Sequence, residues 1–161
     1  MSSAKTILVT GGLGYIGSHT IVELFNEEYL KNNGISNNFE IVIIDDCSSC
    51  SDKILPILEG MIKHKIYFYK VCLNDKKSLE VPFKKHKFYA VIHFAGKKSV
   101  NESIERPLYY YENNFSATFN LIEICLKYNV NNFIFSSSCT VYGNREDKPK
   151  EDEKYLFPIN P

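Results

Sequence analysis

Three glycines at fixed spacing constrain this chain more than any other feature. The segment Thr6-Ile7-Leu8-Val9-Thr10-Gly11-Gly12-Leu13-Gly14-Tyr15-Ile16-Gly17-Ser18-His19 places Gly11, Gly14 and Gly17 in a G-x-x-G-x-x-G pattern directly after a short apolar run. Ile7, Leu8 and Val9 read as a buried parallel strand. Ile16, Thr20, Ile21, Leu24 and Phe25 then recur at helical spacing, and the helix is expected to fade near Leu30. A strand, a tight glycine turn and a helix N-terminus are the parts of a pyrophosphate site. Glycines lack the Cβ that would hold phosphates off the backbone, and the free N–H groups of the helix point at negative charge.

A second strand is expected at residues 40–44, closing on Asp45 and Asp46. A carboxylate there accepts hydrogen bonds from the ribose hydroxyls of an adenosine and repels a 2′-phosphate, which favours NAD over NADP. Asp45 lies further from Gly17 than the usual ~20 residues. The polar stretch 31–38 reads as a surface loop that absorbs the excess.

Strand and helix keep alternating. The pattern predicts a helix over 52–65, a strand over 66–71, and a short helix with a solvated loop over 75–86. A strand over 88–94 and a helical turn over 99–106 follow. One long helix over 108–128 then leads to a strand over 132–135. The fold class is therefore α/β: a Rossmann-type doubly wound parallel sheet, strand order 3-2-1-4-5, in one domain spanning 1–161. Ser136, Ser137 and Ser138 sit at the C-terminal end of the last strand, the edge where parallel sheets bind ligands. His93 reads as a packed strand residue. Tyr109, Tyr110 and Tyr111 face different directions on a helix and read as structural. Asn113 and Asn114 lower helix propensity, and an amide there suits a position facing a cofactor. The tail, 144–161, reads as irregular.

The formal net charge is zero, so no nucleic-acid or membrane partner is expected. No apolar run approaches the ~18 residues of a membrane span. Residues 1–5 lack the apolar segment of a signal peptide, which points to the cytoplasm. The five cysteines are expected to be reduced. Cys47-Ser48-Ser49-Cys50 is formally C-x-x-C. A zinc site needs two more ligands, and a redox site needs a helix N-terminus at the first cysteine. Neither is visible in the sequence, so no metal is expected, and the pair reads as part of a cofactor-lining turn.

Four segments together resemble the N-terminal half of the UDP-glucose 4-epimerases, in the extended short-chain dehydrogenase/reductase superfamily. They are Val9 to Thr20, Val91 to Ser103 (with His-Phe-Ala-Gly-Lys-Lys-Ser-Val-Asn-Glu-Ser), Pro107 to Asn114, and Phe133 to Gly143. The resemblance covers essentially the whole chain. It implies that Tyr15 and Ile16 contact the NAD phosphates, and that Asp45, Asp46, Cys47, Ser48, Ser49 and Cys50 hold the adenosine. It implies Cys72 and Leu73 beside the adenine, and Phe94, Ala95, Gly96 and Ser136 along the cofactor. Lys98 would reach its ribose or phosphate region, Asn113 would add a hydrogen bond, and Ser138 would bond the reacting sugar hydroxyl. The implied activity interconverts UDP-galactose and UDP-glucose through a 4-keto intermediate with NAD held throughout, in galactose metabolism. The implied partners are the UDP-sugars and, for a full-length protein, a second copy in a homodimer.

The sequence departs from the family at three places. Cys72 stands where the family usually has an Asp, and Ser49-Cys50 where it usually has Asn-Ser. The third departure concerns the base, the Tyr of a Tyr-x-x-x-Lys pair whose Lys lowers the phenol's pKa. None of the eleven tyrosines has a Lys four residues on: Tyr142 meets Glu146 and Tyr155 meets Ile159. The resemblance places that pair just beyond Pro161, with the later strands and the UDP-sugar subdomain. The 161 residues alone are expected to be marginally folded, weak for NAD and inactive, with their last strand an unpaired apolar edge. A non-catalytic or vestigial NAD-binding domain, and an epimerase of another UDP-sugar, are the alternative readings.

Overall fold

A computed structural model describes residues 4–137. Five parallel strands form one sheet: β1 (Lys5–Thr10), β2 (Phe39–Asp45), β3 (Ile66–Lys70), β4 (Phe88–His93) and β5 (Asn132–Phe135). Their order is β3-β2-β1-β4-β5, as the alternation predicts. β1 lies at the centre, so its C-terminal turn opens in the middle of the sheet's ligand-binding edge.

Alternate side chains of each strand feed opposite layers, because successive Cβ atoms point to opposite faces. Leu8, Val42, Ile44 and Val91 pack with Leu79 and Phe83 of α4 (Lys76–Lys85) and Leu121, Ile124 and Cys125 of α7 (Ala117–Lys127). Val9, Ile41 and Ile43 pack with Ile21 of α1 (Tyr15–Leu24) and Leu58 and Ile62 of α3 (Ile54–Ile62). A sheet covered on both faces explains the nearly continuous apolar runs at 41–44 and 7–9.

Three helices depart from the sequence expectation. The helix after the glycine turn is two: α1 stops at Leu24, and α2 (Glu27–Asn32) restarts on Asn26, whose side chain accepts from the Tyr29 N–H. Lys31 and Asn32 are therefore helical. The stretch 75–86 is a full helix, α4, capped by Asp75, whose carboxylate accepts from the Lys77 and Ser78 N–H groups. The long helix over 108–128 is three pieces: α6 (Pro107–Tyr110), a π-helical turn (Tyr111–Ser116) and α7. A short helix, α5 (Val100–Glu105), precedes α6. The wide turn carries Asn113 and Asn114, and such turns are frequent at functional sites.

β5 forms one edge. Among the described residues it pairs only with β4, and Ile134 and Phe135 are 58% and 57% exposed. No helix among the described residues is long and apolar enough to cross a membrane.

Candidate functional site

The C-terminal ends of all five strands open into one cleft of about 770 Å³. After β1 it is lined by Gly11, Gly14, Tyr15, Ile16 and Gly17. Gly11 sits at φ +68°, and a Cβ there would lie 2.6 Å from the Ala95 backbone nitrogen. A Cβ on Gly17 would lie 2.3 Å from the Gly11 carbonyl oxygen, so α1 packs directly onto the turn. The Gly14 N–H donates to the Gly11 carbonyl at 3.1 Å and closes the turn. α1 has no side-chain cap, and its first-turn N–H groups lack intrahelical acceptors. Tyr15 and Ile16 beside them are 74% and 52% exposed.

After β2 the cleft is lined by Asp45, Asp46, Ser48, Ser49 and Cys50. Asp45 is buried. Its Oδ2 accepts from the Leu13 N–H at 3.1 Å, so this carboxylate ties the second turn to the first. Its Oδ1 accepts from the Cys47 N–H at 2.9 Å and the Cys50 thiol at 3.3 Å. Asp46 is exposed and accepts from the Ser48 N–H. Cys47 does not line the cleft: it packs with Cys50 against the core beneath. Burial, and then the Asp45 charge, raise both thiols, Cys50 to about 12.

After β3, Cys72 is exposed at the cleft and Leu73 is buried under it. After β4 come Phe94, Ala95, Gly96 and Lys98, and after β5 Ser136, whose N–H donates to the His93 carbonyl. Asn113 lines the cleft, with its amide donating to the Tyr109 carbonyl at 2.8 Å. Ser138, expected to meet a sugar hydroxyl, lies outside the described residues, as does the tail at 144–161.

Sequence reasoning missed two features. Asn114, not only Asn113, is organised: its Oδ1 accepts from the Lys97 N–H at 2.7 Å and its Nδ2 donates to the Lys97 carbonyl at 2.8 Å. This two-point clamp holds the segment after β4 across the cleft, and Lys97 Nζ then donates to Ser48 Oγ at 2.8 Å. The second is a buried polar chain beneath. Thr118 Oγ1 donates to the Asn114 carbonyl, so its oxygen accepts from His93 Nε2 at 2.8 Å, and Thr10 Oγ1 donates to His93 Nδ1. The network assigns neutral His93 with its proton on Nε2. Burial drives its pKa down to about 4. His93 is a packed strand residue, as the sequence indicates, with the added task of bracing the clamp.

Residues 7–161 match the NAD dependent epimerase/dehydratase family. The chain belongs to that family. It is 42% identical over 158 residues to UDP-glucose 4-epimerase 2 of Arabidopsis thaliana, which covers 98% of this chain and 43% of that protein. Among solved structures, the UDP-Glc/GlcNAc 4-epimerase of Campylobacter jejuni superposes with a TM-score of 0.81 at 37% identity, covering 98% of this chain and 44% of that one. The Bifidobacterium longum UDP-glucose 4-epimerase in complex with NAD+ and UDP gives 0.79 at 36% identity, covering 92% and 42%. The chain spans less than half the length of these relatives.

Proposed function

We propose that these residues form the NAD-holding part of a UDP-glucose 4-epimerase. The observation that carries this is Asp45: it stands at the end of β2, on the same cleft as the glycine turn, and is bonded to that turn through Leu13. The residues fit a dinucleotide. The close-packed glycines leave no side chain over the turn, the uncapped start of α1 suits a pyrophosphate, and the Asp45 carboxylate suits a ribose diol. Bound NAD would supply a reversible hydride acceptor. Lys98 offers a positive charge beside it, and the Asn114 clamp fixes the Gly96–Lys97 backbone along it. Ser138 is proposed to orient the reacting sugar hydroxyl. The base is proposed to come from a Tyr-x-x-x-Lys pair outside these 161 residues, which alone should not turn over UDP-galactose.

Asp45→Asn tests the cofactor reading. A lost hydrogen bond to a charged acceptor is worth about 1.5–3 kcal/mol, so NAD should bind about 10–100-fold more weakly by calorimetry. NADP should be rejected less strongly. Unchanged NAD affinity, or none in the parent chain, would overturn it. Turnover of UDP-galactose by a full-length protein separates an epimerase from a non-catalytic NAD-binding domain, and UDP-N-acetylglucosamine in the same assay separates the sugar specificities.

The homodimer proposed for the full-length protein has an apolar face available. Phe119, Ile122 and Leu126 are exposed at i, i+3 and i+7 on α7, with Phe115 exposed one turn earlier. Sedimentation of a full-length protein carrying Phe119→Asp and Leu126→Asp is expected to give monomers where the parent gives dimers. Monomers in both would sink the pairing.

A further inference from the structure

The turn after β2 sets two thiols beside the carboxylate that faces the nucleotide cleft. Asp45, Cys47 and Cys50 place one carboxylate oxygen and two sulfurs within 4.8 Å of one another. We infer that this trio is a binding site for a thiophilic divalent cation of the zinc class.

Spacing in the sequence argues against a metal, because C-x-x-C brings only two ligands. The fold supplies the third from the strand end that precedes the turn. In a tetrahedral site with Zn–S near 2.3 Å and Zn–O near 2.0–2.2 Å, neighbouring ligand atoms lie about 3.5–3.8 Å apart. Cys50 Sγ and Asp45 Oδ1 are already 3.3 Å apart, joined by the thiol's hydrogen bond. The two sulfurs lie within 4.8 Å of each other. A cation would therefore enter where the Cys50 thiol proton now sits, with the more distant ligand atoms closing in by at most about 1.3 Å.

The backbone points the same way. Cys47 sits at φ +57°, a left-handed conformation that few residues other than glycine and asparagine adopt. It is held there while its N–H donates to Asp45 Oδ1. Asp45 Oδ2, bonded to the Leu13 N–H, is oriented by the neighbouring turn, as metal-bound carboxylates commonly are. Both cysteines are half-buried and pack against the core on this face of the sheet, which limits competition from water. The positive charge acting on Cys47 is Lys70, at the end of β3.

Binding is balanced simply. Two S–H bonds break, two metal–sulfur bonds and one metal–oxygen bond form, and both protons leave to solvent. The fourth position stays open to water on the cleft side. No electron transfer is involved.

The test uses the nucleotide-free 161-residue chain with its thiols kept reduced, so its outcome is separate from that of the cofactor reading. Zinc is titrated against a chromophoric chelator, and cobalt(II) serves as the spectroscopic probe. One equivalent of zinc should bind, and the cobalt form should show thiolate-to-metal charge transfer with tetrahedral ligand-field bands. Cys47→Ser and Cys50→Ser should each weaken binding by about 10–100-fold or more. Cys72→Ser and Cys125→Ser should leave it unchanged, which also shows that a serine for a cysteine does not by itself unfold the chain. An absence of stoichiometric binding, an octahedral cobalt spectrum, or equal affinity in the Cys47 and Cys50 variants would overturn the site.

Discussion

Gly17→Ala should lower the unfolding free energy by about 2 kcal/mol or more, read from the urea midpoint at constant slope. Two effects compete. Gly17 is inside α1, where alanine gains about 1 kcal/mol of helix propensity over glycine. Against this, the new Cβ would sit 2.3 Å from the Gly11 carbonyl oxygen and 2.8 Å from the Gly12 Cα. Both obstacles are backbone atoms of a turn that the Gly14–Gly11 hydrogen bond holds closed, so neither can rotate aside. Relief requires α1 to lift off the turn. Overpacking of this kind costs about 1–3 kcal/mol and occasionally more, which exceeds the propensity gain. The lifted helix also withdraws its first-turn N–H groups from the cleft, so NAD affinity should fall with stability. Gly60→Ala is the internal control. Gly60 lies in α3, and a Cβ added there would meet nothing within 4 Å, so the same substitution should stabilise by up to about 1 kcal/mol. Equal signs for the two variants would show that propensity, not the close approach of α1, decides the outcome at Gly17.

That contrast marks what was legible in the sequence. Strands β1, β2 and β4 were visible as apolar runs because both faces of the sheet are covered, and burial on both sides leaves an unbroken hydrophobic signature. The turn was visible because Gly11 and Gly17 have no alternative residue that fits their space. Asp45 was visible by its place at the end of β2, although not its bond to Leu13. What stayed hidden depends on hydrogen bonds between residues far apart in the chain. The Asn114 clamp on Lys97 and the contact of His93 with Thr118 leave no periodicity to read. The π-helical turn carries Asn114, one end of those contacts. The break between α1 and α2 is different, because its signal was present: Asn26 followed by Glu27 and Glu28 is an N-cap with acidic residues in the first turn. The cap on α4 was equally readable in Asp75, three residues before Ser78. The Asp45–Cys47–Cys50 trio needed the fold, since its third ligand closes the preceding strand and is not part of the C-x-x-C spacing.

Stability should fall by about 3 kcal/mol as the pH is lowered from about 6.5 to about 4, from His93 alone, given a pKa taken by burial from 6.5 to about 4 and 1.36 kcal/mol per unit. The sign follows from which state binds the proton. The unfolded chain takes up a proton on this imidazole near pH 6.5. The folded chain does not until about pH 4, because the ring is 1% exposed and both nitrogens are engaged. In that window the unfolded state is the better proton acceptor, and each unit of pH decrease favours it. Above the unfolded value the contribution is fully present. A second histidine adds to the slope in the same direction: burial also lowers His86. Glu80, held down to about 2 by hydrogen bonds from Lys127, Lys84 and Tyr128, loses its contribution as the pH falls from the ordinary carboxylate range towards that value. The His93 share is therefore read as a difference. His93→Gln keeps an amide able to reach the threonines but cannot titrate, so its stability should fall less steeply by about one proton, or about 1.4 kcal/mol per pH unit, across the window. The parent's His93 ring resonances should stay unchanged by NMR down to about pH 5. If the two slopes match, or the ring titrates near 6.5, the His93 imidazole is not sealed beneath the cleft. The clamp above it, from Thr118 through Asn114 to Lys97, would then lack the rigid base that lets a neutral imidazole hold the Gly96–Lys97 backbone in place.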